Sequence, residues 1–204
     1  MTHRHQTVSL GFTNQQFPPG VHICQIISRD EERQESLLKF ISSGLQSKER
    51  TTCISDKVTE QVVEEFLGNY GISYKDARDS GSLTLGGTWN VYCKDDRFDP
   101  ERMLAGLTAY YVDSVAQGYP GVRYIGEMPC EAQHVSGGSR LMEYEARVSM
   151  LLRNYPVTAV CQYDARSFDG AIIMEVLKVH PLMIVRGSVV HNPFYIKPEE
   201  FLSQ

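Results

Sequence analysis

Two short segments of this 204-residue chain carry the side chains best suited to chemistry. In His22-Ile23-Cys24, the alternation of a strand puts an imidazole and a thiol on the same side of a sheet, a pair suited to a soft metal ion or to thiol chemistry. In Cys161-Gln162-Tyr163-Asp164, at the end of another apolar run, Cys161 and Tyr163 share a face, and Tyr163 or Asp164 reaches past the strand end. A metal centre needs three or four ligands, and the further candidates, Cys161, His180 and His134, are brought near His22 only by the fold and not by sequence spacing. The competing reading of His22 is a core histidine with one ring nitrogen satisfied, and of the cysteines, above all Cys53, small buried hydrophobes. Gly126-Glu127 ends a strand where an ATPase carries its acidic residue, and Glu127 reads equally as a capping or arginine-pairing carboxylate.

Other chemistries are excluded by what is missing. The loop after the first strand, Ser28-Arg29-Asp30-Glu31-Glu32-Arg33, has no glycine to let backbone amides close on a phosphate. It has no Gly-Lys-Ser/Thr, and its three carboxylates repel an anion. No phosphate-binding loop occurs elsewhere in the chain. There is no G-x-S-x-G elbow, no cysteine stands beside a cation or at an evident helix start, and pairs such as Glu64-Glu65 and Glu199-Glu200 read as solvated faces. The expectation is therefore a protein that is not an enzyme, with no catalytic set, no cofactor and no resident metal. Five cysteines without a C-x-x-C fit reduced thiols. A net charge of −5 and a pI near 5.7 are the wrong sign for direct nucleic-acid contact. With no signal-type N-terminus and no apolar run of about 18 residues, no membrane is involved and a cytoplasmic location is expected.

The elements that must position these residues follow from periodicity. Residues 21–27 read as a first strand. Ser28 and Glu31, at capping-box spacing, precede a helix with Leu37, Ile41 and Leu45 on one stripe. Residues 50–55 form a second strand, and Val58, Val62 and Phe66 mark a helix stopped at Gly68 to Gly71. Residues 80–97 are irregular: Leu83 and Leu85 alternate as in a strand, while Gly86-Gly87, Trp89 and Tyr92 suggest a hairpin or a loop over a site. Asp99-Pro100 supplies a helix cap with proline in the first turn, and Met103, Leu107, Tyr111 and Val115 extend that stripe. Strands over 122–126, 157–163 and 182–186 alternate with helices over 141–153 and 171–179. The result is a three-layer α/β fold, a mostly parallel sheet with helices on both faces. It forms one domain over 21–190, with arms over 1–20 and 191–204. In such a sheet the pocket is expected at the carboxyl ends of the strands, bordered by residues 89–92 and Tyr163.

Several motifs occur in order: Gly20-Val21-His22-Ile23-Cys24, FISSGL at 40–45 followed by Glu49-Arg50, Phe98-Asp99-Pro100, RYIGEM at 123–128, Tyr144-Glu145-Ala146-Arg147, Cys161-Gln162-Tyr163-Asp164, His180-Pro181, and Asn192-Pro193-Phe194-Tyr195 before Phe201-Leu202. Together, over residues 11–202, the chain resembles the MEDS domain, the methanogen and methylotroph sensory domain of dichloromethane-dehalogenase-type regulators. The resemblance implies a RecA/KaiC-like fold without a phosphate-binding loop and a sensor of small hydrocarbon derivatives that regulates a transcription or kinase partner. Carried over by position, it implies a sensing pocket drawn from His22, Cys24, Glu127, Cys161 and Tyr163, to which the aromatic segment adds Trp89. Two departures stand out: Pro129-Cys130 where the family commonly has a Trp, and Ile27 where it has an aromatic. With no output module attached, the domain is expected to signal by binding a partner protein or a second copy of itself. The competing readings are a metal- or thiol-redox switch using His22 and Cys24, and a residual KaiC-like nucleotide-binding protein.

Overall fold

The computed structural model describes residues 7–204. Two short strands, β1 (Val8–Ser9) and β2 (Gln16–Phe17), precede β3 (His22–Ile27), α1 (Asp30–Gln46) and β4 (Arg50–Ile54). Helices α2 (Glu60–Gly68) and α3 (Tyr74–Asp79) lead to β5 (Leu83–Gly86), α4 (Thr88–Tyr92) and α5 (Pro100–Ala116). Then follow β6 (Val122–Glu127), α6 (Leu141–Leu151), β7 (Val157–Asp164), α7 (Gly170–Val179), β8 (Leu182–Val185), β9 (Ser188–His191) and α8 (Pro198–Phe201). Seven strands form one sheet in the order β5-β4-β6-β7-β3-β8-β9, parallel except for β9. This is the three-layer, mostly parallel α/β architecture expected from the alternation of apolar runs and helical stripes. Among the described residues no helix is long and apolar enough to cross a membrane.

The period of two along each strand sorts the core into two layers. Cys24, Ile54, Ala159 and Tyr163 face α4, α5, α6 and α7, while Ile23, Cys53, Ile125 and Val160 face α1, α2 and α3. Both faces are covered, so the central strands read as near-continuous apolar runs. On the α1 side the guanidinium of the fully buried Arg123 is held by its own chain. It pairs with Glu49 and donates to the carbonyls of Ser9 and Phe40, each at 3.1 Å. Gly44 makes this possible, because a Cβ there would lie 2.5 Å from Cδ of Arg123. Through Ser9 the same side chain ties the β1–β2 hairpin to the sheet, and Leu10 beside it is fully buried. Residues 7–20 thus pack on the domain, and the earlier part of the expected N-terminal arm lies outside the described residues.

Four local expectations change. Ser28 and Glu31 form no capping box; Arg29 occupies the cap position without a side-chain bond, and Asp30, Glu31 and Glu32 load the first turn of α1 with negative charge, which the helix dipole favours. A helix the periodicity did not reveal, α3, starts where Ser73 accepts the amide of Asp76. The segment after Gly86-Gly87 is not a hairpin or loop but the short α4, because Asp56, from the loop after β4, accepts the amide of Thr88 at 3.1 Å and also bonds its hydroxyl. Finally, the chain turns back after β8 through Arg186 and Gly187, both at positive φ, the geometry of a two-residue type I′ hairpin. That turn creates β9, so the C-terminal arm drawn at 191 begins inside a strand.

The N-cap of α5 forms as expected, with Asp99 accepting the amide of Arg102 at 3.1 Å. Replacing Asp99 by Ala should lower unfolding free energy by about 1 kcal/mol. Arg123→Ala should cost about 3–5 kcal/mol, since it strands the Glu49 carboxylate in the core. Denaturant unfolding of the two variants checks this ranking, and equal losses would contradict it.

Candidate functional site

A cavity of about 380 Å³ lies between the sheet and the helices α4, α5 and α6. Its floor is built from mid-strand residues, Thr52, Ile54, Tyr124, Ala159 and Cys161, and its roof from Met103, Leu107 and Val148. Asn90, Lys94 and Gly106, all exposed, frame the mouth. Most of the wall is apolar. Besides Thr52, Asn90, Lys94 and Arg102, polar points come from tyrosines: the hydroxyls of Tyr92 and Tyr124 are 2.8 Å apart, and Gly126 gives Tyr92 room, since a Cβ there would lie 2.2 Å from that hydroxyl. Burial pushes the phenols of Tyr92, Tyr124 and Tyr144 up, so they remain neutral hydrogen-bonding groups.

At its inner end the cavity reaches Glu145 and Cys161, which also belong to a polar cluster under the sheet. His22 on β3, Cys161 on β7, Glu145 on α6 and His180 after α7 place one donor atom each within 4.8 Å of one another. Glu145 Oε2 lies 3.3 Å from His22 Nε2, 3.6 Å from His180 Nε2 and 3.7 Å from Cys161 Sγ, and Cys161 Sγ is 3.4 Å from His22 Nε2. The outer atoms are held as well. Tyr163 donates its hydroxyl to Glu145 Oε1 at 2.5 Å. His180 Nδ1 is 2.8 Å from the carbonyl of Val176, which can only accept, so this nitrogen carries the proton. Ser149 donates to the carbonyl of Val179 at 3.2 Å and lies 2.8 Å from His22 Nδ1, which makes that nitrogen the donor too. Both Nε2 atoms therefore turn bare lone pairs toward Glu145, and His180 Nε2 has no hydrogen-bond partner among the described residues. Burial lowers both imidazoles to about 3 and raises the Glu145 carboxyl, so neither histidine forms a true ion pair with it.

The carboxyl ends of the strands hold something different. Arg33 of α1, almost fully buried, pairs with Asp30, Glu127 and Asp164, the last two at 3.2 and 2.5 Å. Ser55 donates to Glu127 at 2.9 Å, and a hydrogen bond from Arg166 holds the Asp164 carboxyl well below the usual range. Beside this group a hollow of about 170 Å³ is rimmed by Asp56, Glu127, Glu131 and Asp164. An acidic rim over an arginine already neutralised by its own chain is a poor seat for phosphate.

The sequence-predicted residues thus divide. His22, Cys161 and Tyr163 come together in the buried cluster, and Cys161 also lines the cavity. Cys24, on the same face and paired in register with Cys161, is fully buried and lies outside the four-donor set. Glu127 is an arginine-pairing carboxylate at the strand ends. Trp89 is 43% exposed and does not line the cavity, because α4 turns Thr88 and Tyr92 inward, one helical turn apart, and Trp89 outward. The expected pocket at the carboxyl ends, between residues 89–92 and Tyr163, is corrected to one under the sheet: Asn90, Val91 and Tyr92 line it, Tyr163 does not. Glu145 and His180 were not assigned to a site from spacing. The signal for Glu145 was a carboxylate within the apolar stripe Leu141, Val148, Leu152, four residues after Leu141.

A family model described as MEDS, the methanogen/methylotroph DcmR sensory domain, matches residues 21–181. No curated protein matches the chain in sequence. Among solved structures, the flagellar accessory protein FlaH of Methanocaldococcus jannaschii is similar with a TM-score of 0.62 at 10% identity, over 94% of this chain and 91% of that one. A KaiC-like protein of Pyrococcus horikoshii is similar with a TM-score of 0.56 at 13% identity, over 87% and 79%. These likenesses show the RecA/KaiC-like fold.

The thiols can be ranked by their surroundings. Burial pushes Cys24 and Cys53 up to about 12, which leaves roughly one thiolate in ten thousand at pH 8. In folded protein treated with iodoacetamide at pH 8, Cys130, the half-exposed thiol near the surface, should be alkylated first, with Cys24 and Cys53 unmodified. Peptide mass spectrometry reads the order, and early modification of Cys24 would restore the thiol-switch reading.

Proposed function

The chain belongs to the MEDS family of sensory domains, and from that premise we propose that it binds a small, largely apolar organic molecule in the cavity under the sheet, without turning it over. The observation that carries this reading is a mostly apolar chamber of about 380 Å³, with Glu145 and Cys161 at one end, tyrosine hydroxyls and Thr52 in its walls, and Asn90, Lys94 and Arg102 as its remaining polar residues. That volume lies in the range of small-molecule sites, and the layout suits a hydrocarbon skeleton with one polar substituent. Hydrocarbon derivatives are thus the ligand class, as the family resemblance implies.

Helix α5 is the element that can report occupancy. Its inner side contributes Met103, Leu107 and Tyr110 to the cavity, and its outer side exposes Val112 and Val115. A ligand that binds one position of α5 better than another shifts that helix by its differential affinity, and a signalling protein seated on the outer side senses the shift. Regulation of a transcription or kinase partner would then run through protein contact, with no direct nucleic-acid binding. Mg-nucleotide binding is disfavoured, since the loop after β3 supplies carboxylates and the strand ends are filled by Arg33.

A thermal-shift panel of short halogenated, hydroxylated and carbonyl-bearing hydrocarbons should raise the unfolding midpoint for at least one class, while Mg-ATP should not. Gly106 stands at the mouth, with nothing within 4 Å of where its Cβ would be. Gly106→Ala should stabilise α5 by up to about 1 kcal/mol and keep the response, and Gly106→Trp should stay folded and lose it. A response undiminished in Gly106→Trp, or micromolar affinity for Mg-ATP, would overturn the proposal.

A further inference from the structure

We infer that His22, Glu145, Cys161 and His180 hold a single divalent metal ion of zinc-like preference, a site that borders the organic cavity through Glu145 and Cys161 and is assigned on geometry alone. Tetrahedral coordination with bonds of about 2.0–2.3 Å separates neighbouring ligand atoms by about 3.3–3.8 Å. Four of the six separations between donor atoms, 3.3, 3.4, 3.6 and 3.7 Å, match the edges of such a polyhedron, and the other two, both to His180, lie within 4.8 Å. Donor orientation agrees with donor spacing. Both histidines present an unprotonated Nε2 inward, fixed by Nδ1 bonds to Ser149 and to the carbonyl of Val176. Glu145 has its second oxygen bound by Tyr163. Three of the four ligands therefore have the outer partner that metal ligands normally carry. The unpartnered, fully buried His180 Nε2 is the open valence that an ion would fill.

Charge supports the same assignment. On binding, the Cys161 thiol gives up its proton to water, and any proton on the Glu145 carboxyl leaves too. A thiolate, a carboxylate and two neutral imidazoles around a divalent cation sum to zero, which is what a buried site tolerates. One sulfur, two nitrogens and one oxygen favour zinc or cobalt over magnesium or calcium, whose sites are built from oxygen. Access runs through the cavity, where Glu145 and Cys161 form part of the wall. Cys24 lies on the neighbouring strand but outside the set, so the His22 and Cys24 pairing suggested by the strand motif is replaced by His22 and Cys161.

The test uses Co²⁺ as a probe on chelator-treated, folded full-length protein. One equivalent per chain should bind, with ligand-field absorption of tetrahedral intensity and a thiolate-to-cobalt charge-transfer band, both displaced by Zn²⁺. Cys161→Ser should abolish the charge-transfer band, and Cys24→Ser should keep it. Ser149→Ala, which removes the outer partner of His22 and leaves all four ligands in place, should weaken binding about 10- to 100-fold and serves as the second variant should Cys161→Ser fail to fold. Gly106→Trp should reach the same Co²⁺ stoichiometry at equilibrium, only more slowly because the indole narrows the path, so loss of the organic response there leaves the metal site standing, and loss of cobalt binding in Cys161→Ser leaves the cavity standing. Absence of stoichiometric uptake, a weak octahedral spectrum without a thiolate band, or a band that survives in Cys161→Ser would overturn the inference.

Discussion

A carboxylate with no exposed surface is the constraint around which the α6 side of this sheet is arranged. Glu145 enters the layer between helix and sheet on the same stripe as Leu141 and Val148, where an unpaired charge would cost several kcal/mol. Its polar partners come from elsewhere in the chain: Tyr163 and Cys161 from β7, His22 from β3, His180 from the turn after α7. Parallel register makes the meeting possible. His22 stands opposite Ala159, whose small side chain leaves the imidazole space to reach Cys161, two residues further along β7. Ser149, one turn beyond Glu145 on α6, then fixes the tautomer of that imidazole.

The parts that could be read from the chain alone are those that depend on period. Alternation in residues 21–27 and 157–163 places His22 with Cys24 and Cys161 with Tyr163, and the strands do so. Helical stripes likewise survive into α1, α6 and α7, and the Asp99-Pro100 start into α5, whose expected stripe holds for Met103, Leu107 and Tyr111 but leaves Val115 exposed. What escaped was set by contacts distant in sequence. Helix α4 exists because Asp56 holds Thr88, a bond spanning 32 residues, and without it the glycine-rich approach reads as a loop with Trp89 at its tip. The choice between Cys24 and Cys161 as partner of His22 depends on which strand lies beside β3, and no spacing encodes that order. His180 could be named as a candidate but not placed, because its position follows from where α7 ends against the sheet.

Parallel sheets of this kind ordinarily offer ligands the crevice beyond their carboxyl ends, where helix N-termini and loops converge. Here that crevice is occupied from within. The first turn of α1 carries Asp30, Glu31 and Glu32 at the positive end of its own dipole, and Arg33 one step later folds back to neutralise Glu127 and Asp164. The arginine replaces an external anion's counter-charge with an internal one, and the site is closed by the protein's own salt bridges. Open volume has moved instead to the sheet face, where α4 and α5 stand off from Thr52, Tyr124 and Ala159 and where aromatic hydroxyls, not amides, provide the polar contacts.

Cavity and cluster share Glu145 and Cys161, and this shared wall has a thermodynamic consequence. An ion that fixes both side chains in one arrangement also fixes the inner end of the cavity, so a molecule that fits that arrangement binds more tightly when the ion is present. By reciprocity the ion is then held more tightly by the same factor. A molecule whose polar group competes for Glu145 produces the opposite sign and loosens the ion. The direction of the coupling is thus decided by whether the ligand's polar end accepts the geometry of Glu145 or takes its place. Because α6 carries Glu145 and packs along α5, that choice is made one helix away from the exposed Val112 and Val115.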